Sequence, residues 1–195
     1  MIEENYQFNL QQVKVALAEM AEAYPLLPEL VYSSPYDFVL QHGRDYKIVP
    51  WKWGKEGVGV QKQCFGNSIA LAAKYDLKYV EGFTLAVTGE LIMHAWNAFP
   101  NGEVMDSTWA NTGLAYFGVE FSVERGDDAT WNGDACVLND DNRNYPIFHQ
   151  KWEGEDYSIQ WPPSDRLDAI KRWRKTGKYI VPPTAAAWLQ EQKKV

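Results

Sequence analysis

The hydrophobic period of this chain changes at one point, and that change limits the folds open to it. From Cys64 to Tyr75 the residues are small or good helix formers, and Cys64, Ser68, Leu71 and Tyr75 recur on one helical face. Gly66, Ala70, Ala72 and Ala73 keep that segment slim enough to lie close against a sheet. Beyond Asp76 the pattern turns to period two. KYVEGFTLAV, LIMHAWNAF, EVMDSTW and AYFGVEFSV read as antiparallel strands, with a turn at 88–90 and a hairpin signal at Pro100, Asn101 and Gly102. The spacing predicts a helix packed on an antiparallel sheet with flanking helices, an α+β architecture.

Leu10, Val13, Leu17 and Met20 predict an amphipathic helix over 9–23, stopped by Pro25 and Pro28. Ser34, Pro35 and Asp37 start a short helix ending near Gly43. The run KIVPWKWGKEGVG is irregular and leads straight to Gln61, Gln63 and Cys64. Residues 125–163, rich in Asp, Asn, Gly and Trp, read as loop with one or two short strands. Ser164 opens a helix closed by Gly177, and Pro183 with Thr184 precedes a last helix to about Gln192. In 195 residues without repeat or linker, one domain over 1–195 is expected. Its parts are a helical segment over 1–55, a core over 60–124 and terminal helices over 164–195.

A formal charge of −7 argues against nucleic acid, whose phosphates need a basic footprint. The acidic start, Met1-Ile2-Glu3-Glu4, is not a secretory signal, and no apolar run reaches membrane-spanning length, so no membrane partner is expected. Two cysteines imply no disulfide framework. The expected setting is cytoplasmic and reducing, where a thiol stays usable.

Cys64, His94 and Asp106 supply, in chain order, a thiol nucleophile, an imidazole base and a carboxylate to orient it. A thiol at a helix N-terminus feels unpaired N–H groups that favour thiolate, and its own N–H points where a substrate carbonyl oxygen would sit. Gln61, Gln63 and the Trp53 indole are candidates for a second oxyanion donor. His94 lies in an otherwise apolar strand and Asp106 in another, and both groups are costly to bury unpaired. Strand alternation places Ile92, His94 and Trp96 on one face and Val104, Asp106 and Thr108 on one face of the next strand. The hairpin then sets His94 beside Asp106 across the ladder. For Asp106 the competing role is a turn or cap beside Ser107 and Thr108. Trp51, Trp53, Trp96 and Trp109 are candidate groove residues near the triad, drawn from an aromatic load of nine Trp and eleven Tyr.

The segment Gln63–Phe121 resembles the transglutaminase-like branch of the papain-like cysteine superfamily. The likeness rests on the Cys at a helix start, His94-x-Trp96 on a strand, and Asp106-x-Thr108 after it. It is also similar to small bacterial and phage proteins carrying Gln-Cys, Tyr-Val-Glu-Gly, His-Ala-Trp and Tyr-Phe-Gly-Val, matched by Gln63-Cys64, Tyr79–Gly82, His94–Trp96 and Tyr116–Val119. The resemblance implies a Cys-His-Asp triad acting on amides or thioesters. The expected activity is acyl transfer or hydrolysis on a peptide bond or a Gln/Asn side chain of a protein or peptide substrate. The competing class is a catalytically silent binding or inhibitory protein that uses an aromatic groove for a protein or glycan.

No cofactor is expected. His42 and His149 have no ligands at metal spacing, and Asn139 to Asn142 lack the Gly and terminal Glu of a calcium loop. Lys171, Arg172, Arg174, Lys175 and Lys178 read as a solvated face or as favourable charge at a helix C-terminus.

Overall fold

Ser34 and Asp37 show how local sequence sets the first boundaries. In the computed structural model, which describes residues 2–54, 58–75, 77–131, 136–140 and 145–154, the Ser34 hydroxyl accepts the Asp37 N–H at 3.2 Å and caps helix α2, Pro35–His42. Pro35 occupies the first turn, where its missing N–H is harmless, and the Gly43 N–H closes the other end on the Val39 carbonyl. Helix α1 spans Ile2–Glu22, beginning well before residue 9. Its extra turns are tied down by polar contacts that apolar periodicity does not register: the Tyr6 hydroxyl donates to the Tyr46 carbonyl at 2.7 Å. Leu10, Val13 and Leu17 are buried, whereas Met20 is exposed. Helix α3, Cys64–Tyr75, has the expected bounds, with Asn67, Ser68, Ile69, Leu71 and Ala72 buried and Tyr75 exposed.

The strands are β1 (Arg44–Asp45), β2 (Lys78–Leu85), β3 (Leu91–Ala98), β4 (Val104–Met105) and β5 (Ala115–Phe121), in one antiparallel sheet ordered β1-β5-β2-β3-β4. Every pairing matches odd residues with odd and even with even, as in Asn97↔Met105, Gly82↔His94 and Gly82↔Gly118. The two faces therefore separate by parity. Odd positions such as Tyr79, Phe83, Ala95, Phe117 and Phe121 join α1, α2 and α3 in the larger core. Even positions Val80, Trp96, Ala98, Val104 and Tyr116 join Tyr46 in a smaller one.

The sheet curls until its outer strands meet. Just past β1, the Lys47 N–H donates to the Gly102 carbonyl at 2.9 Å, and the Val104 N–H returns to the Lys47 carbonyl at 2.9 Å. The even face thus lines the inside of the curl and the odd face carries the helices. Gly82 and Gly118 stand opposite each other there: a Cβ on Gly82 would lie 2.3 Å from the Phe117 carbonyl oxygen, and one on Gly118 would lie 2.7 Å from the Trp96 ring.

Two expectations need correction. The run EVMDSTW forms strand only at Val104–Met105, because the chain then turns through Ala110 and Asn111, both at positive φ (50° and 57°). Asn111 Oδ1 takes the Asp106 N–H at 2.7 Å, replacing a strand partner. Within 125–163, the described residues hold helix α4, Val123–Trp131, and 3₁₀ turns at Val137–Asn139 and Pro146–Phe148, with no strand. Buried Asp127 and Asp128 hide α4 from apolar periodicity. The expected helices after Ser164, including the basic one, lie outside the described residues.

Candidate active site

Cys64 is the first residue of α3 and a half-buried free thiol. Its helix opens when the Gln63 carbonyl accepts the Asn67 N–H at 2.9 Å, leaving the first N–H groups of the turn without intrahelical acceptors. Lys62, just ahead, is held at φ 62°, a left-handed residue that reverses the chain into the helix.

His94 comes from the middle of β3 and is buried inside the curl. Its Nε2 lies 2.8 Å from Asp106 Oδ2. Burial alone would push this imidazole down. The hydrogen bond to Asp106 and the nearby Cys64, with the charge of Asp106, overcome that and raise it to about 9. With Nε2 committed to the carboxylate, Nδ1 is the nitrogen left for the thiol. The Trp109 ring stacks on the imidazole at 4.2 Å and 23°, a face on which a protonated ring gains cation–π attraction.

Asp106 sits one residue past β4, and both roles weighed for it from sequence occur together. Oδ1 caps the turn, accepting the N–H groups of Thr108 at 3.0 Å and Trp109 at 3.1 Å. Oδ2 accepts from His94 and from the Tyr116 hydroxyl, each at 2.8 Å. Four donors on a fully buried carboxylate offset the desolvation of its charge. His94 and Asp106 meet diagonally at the end of a short ladder and not side by side within it.

Sequence reading missed the residue that ties helix α3 to the Asp106 turn. Asn67 accepts the Val60 N–H at 3.2 Å and donates to the Val60 carbonyl at 2.8 Å and to Thr108 Oγ1 at 2.9 Å. The Gly59 N–H donates to the Ser107 carbonyl at 2.8 Å. Helix α3, its leading loop and the Asp106 turn are thereby held together. The signal for Asn67 was its place one helical turn after Cys64, a buried amide that needs partners.

The other candidates separate. Gln61 and Gln63 are exposed beside the helix start, and neither side chain is placed against Cys64 by any hydrogen bond. Trp53 stacks on Phe99 (5.7 Å, 16°) at the β3–β4 turn and meets Trp51 edge-on at 4.8 Å, while the Trp51 indole donates to the Gly54 carbonyl. Trp96 requires a correction: it is fully buried against Tyr46 and Tyr116 and cannot line a groove. The curl that buries it depends on the Lys47 closure, which strand alternation does not reveal. Of the four tryptophans, Trp109 alone stacks on the site histidine at close range.

Elsewhere, His42 pairs with the Tyr32 hydroxyl at 2.7 Å and His149 with the Glu29 carbonyl at 3.3 Å. Among the described residues, no three His, Cys, Asp or Glu side chains converge as metal ligands, and no helix is long and apolar enough to cross a membrane. Compared with family models, with curated proteins and with solved structures, the chain has no match.

Proposed function

We propose that the protein is a cysteine-dependent acyl transferase or hydrolase of the transglutaminase-like, papain-like kind, acting on an amide of a protein or peptide. The observation that carries this reading is the 2.8 Å hydrogen bond of His94 to Asp106, with Cys64 near enough to act on the same imidazole. His94 takes the thiol proton, and the sulfur attacks the substrate carbonyl carbon. As the tetrahedral centre collapses, the C–N bond breaks, and the leaving nitrogen receives the proton from His94. Water or an amine then attacks the thioester, with His94 taking its proton and returning it to the departing sulfur. Asp106 holds the ring orientation and stabilises the imidazolium. The competing reading, a binding protein with an aromatic groove, loses support from the burial of Trp96.

The test is trapping. Incubation of the protein with lysate proteins or peptides, followed by mass spectrometry, is expected to find an acyl adduct on Cys64 and none in Cys64→Ala. His94→Gln should slow iodoacetamide alkylation of Cys64 at pH 6 by roughly tenfold or more, because the cation that favours thiolate is gone. Equal alkylation rates and no adduct would overturn the assignment.

A further inference from the structure

Asp106 Oδ2 carries two donors, and only one of them belongs to the triad. Beside His94 Nε2 stands the hydroxyl of Tyr116, from β5. The direction of that hydroxyl is fixed. Its oxygen accepts the Gly113 N–H at 3.2 Å, which leaves its own proton for the carboxylate. Position 113 has to be small for this approach, since a Cβ there would lie 2.5 Å from Thr84 and 2.7 Å from the Tyr116 ring. Trp96 packs edge-on against the phenol at 5.2 Å, and Tyr116 is fully buried. Burial and the adjacent Asp106 charge keep the phenol protonated far above neutrality.

We infer that Tyr116 is a positioning residue that sets the basicity of His94 through Asp106. The phenol draws part of the carboxylate charge into a second hydrogen bond, so the imidazole faces a weakened anion and releases its proton more readily when a leaving group needs it. The functional meaning of this control rests on the acyl-transfer reading; its geometry does not. Among the described residues, the titratable groups acting on His94 are Asp106 and Cys64, and the one acting on Tyr116 is Asp106.

The experiment is a histidine titration by NMR on the full chain, which has three histidines, with His94 assigned by His94→Gln. In Tyr116→Phe the His94 midpoint is expected to rise by roughly half a unit, about threefold tighter proton binding, because the anion recovers its charge. With 3-fluorotyrosine at position 116, a stronger donor of nearly the same shape, the midpoint should fall. Opposite shifts are a signature that a purely structural role does not produce. An unchanged midpoint in folded Tyr116→Phe, or shifts of the same sign in both proteins, overturns the inference. If Tyr116→Phe does not fold, the fluorinated protein decides alone: a lowered midpoint supports control by Tyr116 and an unchanged one rejects it. A Cys64 that fails to alkylate while His94 still shifts would remove the acyl-transfer reading and leave Tyr116's control of His94 standing.

Discussion

Two carboxylates are fully buried on opposite sides of the sheet, Asp106 just past β4 and Glu81 in β2, and they end on different partners. Asp106 lies inside the curl and Glu81 on the helix-facing side. Glu81 Oε1 accepts from the Tyr79 hydroxyl at 2.7 Å and the Val137 N–H at 2.9 Å, and Oε2 from the Leu138 N–H at 2.9 Å. Burial raises its pKa even so, against the lowering effect of those donors. Each carboxylate is well supplied with donors, so satisfaction does not separate them. The difference is that one Asp106 donor is an imidazole that also feels a half-buried thiol, whereas Glu81 ends on main-chain N–H groups, a phenol and the buried Cys136. On the proposed acyl-transfer reading, a buried carboxylate serves chemistry when its partner can hand a proton onward; Glu81 instead clamps two chain segments, β2 and the 137–139 turn.

The comparison breaks most visibly at the thiols. Iodoacetamide should modify Cys64 in the native protein at least about a hundredfold faster than Cys136, which burial and nearby Glu81 hold well above the usual thiol range. Peptide mapping after timed quenching measures both rates, and comparable labelling would erase the distinction. Next come the carboxylates themselves. Asp106→Asn should slow Cys64 alkylation at pH 6 by roughly tenfold in a folded protein. Glu81→Gln should leave that rate nearly unchanged in the folded protein and cost about 2–4 kcal/mol in denaturant unfolding, because its amide N–H₂ confronts donors. The reverse pattern would mean that the roles are exchanged.

A third test uses pH. His94 binds its proton more tightly folded (about 9) than at its ordinary 6.5, so its stabilisation is complete below 6.5 and is lost as pH rises through 9. Unfolding free energy should fall by about 3 kcal/mol across that window and should fall less in Asp106→Asn. Glu81, also raised when folded, has the same sign in another range: its contribution declines once pH climbs above 4.5. The smallest effect belongs to the turn that shapes Asp106. Ala110 is left-handed at φ 50°, and Ala110→Gly should raise stability by about 1 kcal/mol, read as a higher denaturation midpoint.

Helix α3, strands β2, β3 and β5, and the meeting of His94 with Asp106 were all legible, because each rests on local period or on a short turn. What escaped the sequence depends on strands distant in the chain. Tyr116 reaches Asp106 from β5, which pairs with β2 and β1 and not with β4, a sheet order that no local pattern encodes. Trp96 shares a face with His94 as expected, yet its burial against Tyr46 and Tyr116 follows from the Lys47 closure. Helix α4 was illegible because its buried positions include Asp127 and Asp128.

The facing glycines at 82 and 118 carry a consequence for anyone reading tolerance to mutation as a map of function. Neither has a side chain to offer a substrate, yet any replacement at either would drive a β-carbon to within 2.5 Å of opposing backbone. A saturation library scored for survival should therefore flag these two positions as sharply as Cys64. Rescoring the same library for soluble folded protein will part them: Cys64 variants will return to the tolerated class, and the glycine variants will stay behind.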